Sequence, residues 1–208
     1  MGKKILELDS LYNLKKKDIK RACNVLTRAF FKDPLFIFLF PDTKKRKKIY
    51  YMFYVSLNYV NNYGFILATS EKMEGLMALI PPKTKKKNIC ALLKSKGYII
   101  PFIMNWKKPM EMQKYIDEIH KKAIDVPHWY LTSIAVDPKY QNKGFASKLI
   151  RPILEFLDSK EEICYLETEN ERNISFYEHF GFEIVISEKI PNSNVSVWGM
   201  IRKPRKFD

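Results

Sequence analysis

Asp137-Pro138-Lys139-Tyr140-Gln141-Asn142-Lys143-Gly144-Phe145-Ala146-Ser147 separates two segments of different period. Before it, Trp129 to Val136 reads as a strand with apolar groups on both faces, Leu131 and Ala135 on one and Ile134 and Val136 on the other, as expected of a strand covered on both sides. Asp137-Pro138 ends that strand. After the loop, Ala146, Leu149, Ile150, Ile153 and Leu157 recur at helical spacing, which predicts a helix from near Gly144 to about Lys160. The first N–H groups of a helix have no partner inside it, and the helix dipole adds positive potential at the same end. A glycine with small neighbours there lets the backbone close around an anion such as pyrophosphate. With one glycine and no Gly-Lys-Ser/Thr ending, the loop is neither a dinucleotide fingerprint nor a P-loop. An ordinary strand-to-helix turn fits the loop equally well when it is read alone.

Working outward, Ile163 to Thr168 reads as strand, Arg172 to Phe180 as helix, and Phe182 to Ile186 and Val195 to Ile201 as strands. Such alternation predicts βαβ crossovers and a sheet covered by helices. Upstream the pattern is mainly helical. Ile19, Ala22, Cys23, Leu26, Ala29 and Phe30 place a helix over Asp18 to Phe31, stopped by Asp33-Pro34, and a second runs from about Asp42 to Asn61. Phe65 to Thr69 and Leu76 to Ile80 form a predicted hairpin around Ser70-Glu71-Lys72, and Asn88 to Lys122 reads as two or three short helices broken near Pro101 and Pro109. Pro152, inside the helix after the loop, predicts a bend there.

The length of 208 residues suits one domain with its own core, and a hydrophobic content of 46% excludes a chain too polar to fold. The net charge of +14 comes mostly from lysine and suits an anionic ligand. The basic clusters at 15–17, 44–48 and 83–87 are short and read as solvated faces; with no helix-turn-helix, zinc or RNA-binding signature beside them, no nucleic-acid partner is expected. Cys23, Cys90 and Cys164 are too scattered for a disulfide framework or a zinc site and read as reduced core thiols. The N-terminus lacks a signal-peptide pattern, and the longest apolar runs reach about half of the roughly 20 residues a membrane span needs. These features predict a cytoplasmic, soluble chain with no membrane partner.

Gln141-Asn142-Lys143-Gly144-Phe145-Ala146, following Val136-Asp137-Pro138, resembles the Gln/Arg-x-x-Gly-x-Gly/Ala acyl-CoA motif of the GNAT superfamily of N-acetyltransferases. About 30 residues on, Tyr165-Leu166-Glu167-Thr168-Glu169-Asn170-Glu171-Arg172-Asn173 and Phe176-Tyr177-Glu178-His179-Phe180-Gly181-Phe182 are similar to its second motif, a strand, an Asn-bearing turn and a helix. Ala29 to Pro34, Ile190-Pro191, Val197-Trp198 and Met200 look like the puromycin N-acetyltransferase-like branch. The resemblance implies an α/β (α+β) fold: a mixed, mostly antiparallel central sheet of six to seven strands with a splayed pair, flanked by helices on both faces. It implies one domain over 1–208, with a substrate-side region at 1–125 and an acetyl-CoA-binding core at 126–202. The implied reaction moves an acetyl group from acetyl-CoA to a primary amine of a small molecule or peptide, by direct attack in a ternary complex and without metal.

Carried over residue by residue, the resemblance gives the backbone of Ile134, Ala135 and Val136 to the pantetheine arm, and the amides of Gln141, Asn142, Lys143, Gly144, Phe145, Ala146 and Ser147 to the pyrophosphate. Asn170 or Asn173 would hold the pantetheine amide, although Asn also suits either position as a helix cap. Tyr177 becomes the general acid for the leaving thiolate, a role that a tyrosine in an apolar stripe would not otherwise suggest. An alkylamine is almost wholly protonated at neutral pH, so a base is needed. Glu167 takes that role, directly or through water, ahead of Asp137 and Glu169. His120, His128 and His179 read as isolated and structural. The aromatic residues from Phe30 to Phe40, with Tyr50, Tyr51 and Tyr54, read as core before acceptor pocket. Two other functions compete: a catalytically silent CoA-binding sensor and a basic nucleic-acid-binding protein.

Overall fold

The computed structural model describes Leu8, residues 10–82 and residues 89–205, so the lysine cluster at 83–87 lies outside the described residues. Seven strands form one sheet: β1 (Tyr12–Asn13), β2 (Phe65–Ala68), β3 (Gly75–Ile80), β4 (Trp129–Val136), β5 (Cys164–Thr168), β6 (Glu183–Lys189) and β7 (Ser196–Arg202), in the order β1-β2-β3-β4-β5-β7-β6. Every pairing is antiparallel except β4 with β5. The expected mixed, mostly antiparallel sheet is what the chain builds. β4 and β5 are joined through α8 (Phe145–Ser159), a βαβ crossover. β6 follows α9 (Ile174–His179) and takes the sheet edge, after which β7 turns back into the gap between β5 and β6.

The helices α1 (Ile19–Ala29), α2 (Pro34–Leu39), α3 (Thr43–Arg46), α4 (Ile49–Tyr63), α5 (Ile89–Lys94), α6 (Ile100–Ile103) and α7 (Lys107–Ala123) complete the fold. Two apolar clusters cover the two sheet faces. One joins Leu149, Ile153 and Leu157 of α8 and Tyr177 of α9 to Leu131, Leu166 and Met200. The other joins Ala22 and Leu26 of α1, Phe53 and Leu57 of α4 and Ile119 of α7 to Ala68, Leu76 and Val197. Phe36 and Phe53 are buried there and Phe30 stacks against both, so most of the Phe30–Phe40 aromatics are core, as expected.

Three details depart from the sequence reading. Asp33-Pro34 does more than end a helix: the Asp33 carboxylate accepts the Leu35 N–H at 3.0 Å and Pro34 occupies the first turn, so the pair starts α2. Asp42 caps α3 in the same way, and the expected 42–61 helix is divided at 47–48 into α3 and α4. Pro109 lies in the first turn of α7, where a missing N–H costs nothing, and therefore does not break it. Pro152 lies inside α8, as read from the sequence; its ring removes the donor for the carbonyl of Lys148, an exposed residue where water can substitute. Among the described residues no helix is long and apolar enough to cross a membrane.

Candidate active site

The site begins where two strands part. β4 pairs with β3 from Tyr130 to Val136 but with β5 only at Trp129–Cys164 and Tyr130–Tyr165. Beyond those pairs β5 stays with β7 as far as Thr168–Trp198. Thr132 supplies a local cause. Consecutive Ala78 and Leu79 of β3 face Ser133 and Leu131, leaving Thr132 as an extra residue whose hydroxyl donates to the Ala78 carbonyl at 3.1 Å. Such a bulge bends and twists its strand. Ile134, Ala135 and Val136 thus present an open edge to a cleft of about 1210 Å³.

The anion cradle closes one end of that cleft. Among the described residues, the backbone N–H groups from Asn142 to Ser147 meet no well-aligned protein acceptor, and the first helical bond of α8 is Lys148 N–H to the Gly144 carbonyl at 3.0 Å. Gly144 has φ +76° and Asn142 φ +60°, left-handed conformations that glycine and asparagine tolerate best. A Cβ at Gly144 would meet no protein atom within 4 Å, so that face of the loop is open to a ligand. Asp137 anchors the loop from below: its carboxylate pairs with Arg28 of α1 and accepts the Lys139 N–H at 3.3 Å. Burial works to raise this carboxyl, but the Arg28 hydrogen bonds outweigh it and hold it below its ordinary value. Asp137 is therefore an anchor held in an ion pair, which leaves it a poor proton acceptor. Lys32, Lys47 and Arg172 also border the cleft, beside the Asp137-paired Arg28, and give it a positive rim that the motif did not reveal.

Of the residues expected to bind cofactor, Ile134, Ala135, Val136, Gln141, Asn142, Gly144, Phe145, Ala146, Ser147, Asn170 and Asn173 all border the cleft. The exception is Lys143, whose exposed side chain turns back over the Tyr140 ring, 5.8 Å from its centroid. Asn170 caps the turn that leads into α9, accepting the Arg172 N–H at 3.3 Å, while the Asn173 amide donates to Thr168 Oγ1 at 3.4 Å. Among the described residues, backbone donors without a well-aligned acceptor at a helix start and an open strand edge beside them fit a ligand that carries both a pyrophosphate and an amide-bearing arm.

Tyr177 borders the same cleft from α9 and is 7% exposed. Burial raises its phenol, and the nearby Glu169 and Asp33 carboxyls raise it further, so the hydroxyl stays protonated. Burial likewise pushes Glu169 up to about 8, with the charges of Asp33 and Glu167 adding, and Asp33 to about 6. The end of α9 is fixed from outside the cleft: buried Arg202 donates to the Phe180 carbonyl at 2.9 Å and forks onto Asp158 at 2.7 Å on both arms.

Glu167 does not border the cleft. It alternates with Leu166 on β5 and so points to the opposite sheet face, toward α7, with a side chain 4% exposed. There it meets residues read from sequence as isolated. Nδ1 of His120 lies 3.0 Å from Glu167 Oε1, His120 Nε2 lies 2.8 Å from His128 Nε2, and His128 Nδ1 lies 2.7 Å from the Val126 carbonyl. The rings of Tyr130 and Tyr165 pack on His120 at 4.7 and 4.4 Å. Burial lowers His128, and it raises the phenols of Tyr130 and Tyr165, with the Glu167 charge adding. Glu167 Oε1 and Tyr165 Oη are buried without a well-aligned hydrogen bond among the described residues. The expectation that His120 and His128 stand alone is corrected. They lie at the end of one helix and the start of the next strand, and only the packing of α7 on the sheet joins them to Glu167.

Residues 84–182 match the acetyltransferase (GNAT) family. An uncharacterized N-acetyltransferase of Schizosaccharomyces pombe is 26% identical over 201 residues, covering 90% of this chain and 81% of that protein. Among solved structures, a histone acetyltransferase HPA2 and related acetyltransferase from Corynebacterium glutamicum superposes with a TM-score of 0.63 at 18% identity, covering 95% of this chain and 97% of that one. Arylalkylamine N-acetyltransferase 2 of Aedes aegypti gives a TM-score of 0.61 at 12% identity over 94% and 98% of the two chains. Splayed strands and a cradle at a helix start thus belong here to a GNAT fold.

Proposed function

We propose that the protein transfers the acetyl group of acetyl-CoA to a primary amine of a small molecule or peptide, by direct attack within a ternary complex. The observation that carries this reading is the run of N–H groups without a well-aligned acceptor from Asn142 to Ser147 at the head of α8, beside the open edge of Ile134–Val136. The cradle takes the pyrophosphate, the β4 edge pairs with the pantetheine arm as an added strand would, and Asn170 or Asn173 steadies its amide. Acetyl-CoA supplies an activated thioester; the protein places it, receives protons and protects the leaving sulfur.

In this reading the thioester lies in the gap between β4 and β5, with Tyr177 on the α9 side and Glu167 on the α7 side. An ammonium in the cleft gives one proton through water to Glu167, which does not itself border the cleft, and the free amine forms the C–N bond as the C–S bond breaks. Tyr177, protonated because it is buried, donates to the thiolate, and the second amine proton returns through cleft water to the phenolate. One proton leaves to solvent for each turnover. Burial pushes the thiols of Cys23 and Cys164 up to about 12, which suits transfer without an acetyl-cysteine. Phe30, Phe31 and Asp33 border the cleft and are proposed to meet the acceptor. The segments Ala29–Pro34 and Val197–Met200 support placement beside the puromycin N-acetyltransferase-like branch, and their likeness does not make puromycin the acceptor. The whole chain then acts as one N-acetyltransferase domain, and its free buried thiols suit the cytoplasm.

Thiol release from acetyl-CoA, followed with a panel of arylalkylamines, polyamines and peptide N-termini, tests the reading. Tyr177→Phe is expected to lower kcat by about tenfold or more while acetyl-CoA affinity holds within a factor of two. Unchanged turnover in that variant removes Tyr177 from the acid role.

A further inference from the structure

We propose that His120 and His128 act with Glu167 as one proton-accepting unit, in which the proton that a substrate ammonium gives to the carboxylate is held on the imidazole pair and leaves through His128. This rests on the reading of Glu167 as proton acceptor given above.

The hydrogen-bond inventory leads there. A carbonyl can only accept, so the contact of His128 Nδ1 with the Val126 carbonyl at 2.7 Å places a proton on Nδ1. The two Nε2 atoms stand 2.8 Å apart, a distance that one shared proton makes attractive and that two lone pairs or two protons make repulsive. Nδ1 of His120 lies 3.0 Å from a carboxylate oxygen without the alignment of a hydrogen bond, an ion-pair contact that is attractive when the imidazole carries a proton on that side and repulsive when two lone pairs face each other. All three contacts are attractive when the triad holds three protons. With two protons, one contact must pair acceptor with acceptor. The two-proton unit is thus built to take up one proton, and the reaction has one to dispose of for each turnover. A 2.8 Å separation also leaves no room for a metal ion between the two nitrogens, since zinc alone needs about 2.0 Å to each.

The path leads from the buried carboxylate to half-buried imidazoles beside an exposed loop. The Glu167 side chain is 4% exposed and that of His120 22%, and His128 follows the exposed residues Asp125, Val126 and Pro127. A proton accepted in the interior therefore has a route to water away from the cofactor cleft. The groups facing the triad are the phenols of Tyr130 on β4 and Tyr165 on β5, with Glu169 further along β5; Lys122 of α7 is already paired with Glu188 of β6. No cation competes for Glu167 from these elements among the described residues.

Two measurements test the proposal. In protein labelled with ¹⁵N at histidine, without acetyl-CoA, the unit predicts a nitrogen–nitrogen coupling across the His120–His128 hydrogen bond and a far-downfield His120 Nδ1 proton; absence of the coupling at any pH between 5 and 9 overturns it. The second uses acetyl-CoA with 2-phenylethylamine and with spermidine. His120→Gln and His128→Gln are expected to lower kcat/KM about tenfold and to move its acidic limb by one pH unit or more, with the KM for acetyl-CoA within twofold. An unmoved limb in both variants overturns the relay even where Glu167→Gln is inactive. Full activity in Glu167→Gln overturns the base assignment and the relay with it. If a variant fails to fold or neither amine turns over, the coupling measured on the unaltered protein decides.

Discussion

At the scale of single residues, the site depends on where a proton or a Cβ is absent. Gly144 takes φ +76°, where an L side chain costs on the order of 1–2 kcal/mol, and it borders the cleft with open space around its Cβ position. Gly144→Val is therefore expected to weaken acetyl-CoA by about tenfold or more and to lower Tm by a few degrees, by calorimetry and thermal melting; equal affinity would show that the cradle is not where the pyrophosphate lies. Glu169 makes a pH prediction. Its carboxyl is neutral in the folded protein up to about 8 but ionises from its ordinary 4.5 when unfolded, so the unfolded state binds fewer protons between those values and stability falls as pH rises through that window. Glu169→Gln should raise Tm at pH 8.5 more than at pH 4.5. The same melts at both pH values check this, and a larger gain at the lower pH would contradict it.

At the scale of elements, the cleft is held by fastenings at its back. α8 fills one sheet face with Leu149, Ile153 and Leu157, each of which contributes about 1.5–3 kcal/mol on burial. The C-terminal end of α8 is tied to β7 and to the end of α9 by the buried Asp158–Arg202 fork. Arg202→Ala leaves the Asp158 charge buried with one backbone donor, from Arg205, and is expected to cost about 3–5 kcal/mol by denaturant unfolding, with Tyr177 losing its fixed position. Burial alone would raise Asp158, and Arg202 holds it below its ordinary value. Its stabilisation is therefore present above about pH 4 and is lost as pH falls below that. This scale also shows what the sequence could reveal. Gln141 to Ser147 and Asn170 to Tyr177 were legible because their work is local: a turn, a helix start, a stripe. Asp33-Pro34 was read as a stop because a stop and a start share the same residues. The two-residue β1 gave no period to detect.

At the scale of the whole molecule, the splay between β4 and β5 divides the chemistry between two faces, cofactor cradle and Tyr177 on the α8–α9 side, and Glu167, His120 and His128 on the α7 side. No pattern in the sequence contains that division, because the histidines lie on α7 and just before β4, 39 or more residues from Glu167, and meet it only after α7 packs on the sheet. The positive rim of Lys32, Lys47 and Arg172, beside the Asp137-paired Arg28, likewise gathers from separate segments, and gives the lysine-rich chain an anion to bind. The measurement that tests the account most directly is a thermal-shift titration with acetyl-CoA and CoA beside ADP and a short duplex DNA. Saturable stabilisation by acetyl-CoA and CoA, growing with concentration and exceeding that from ADP, is the predicted result. No shift at millimolar acetyl-CoA, with a salt-sensitive shift on DNA instead, would mean that the cradle is an ordinary turn and that the basic surface carries the function.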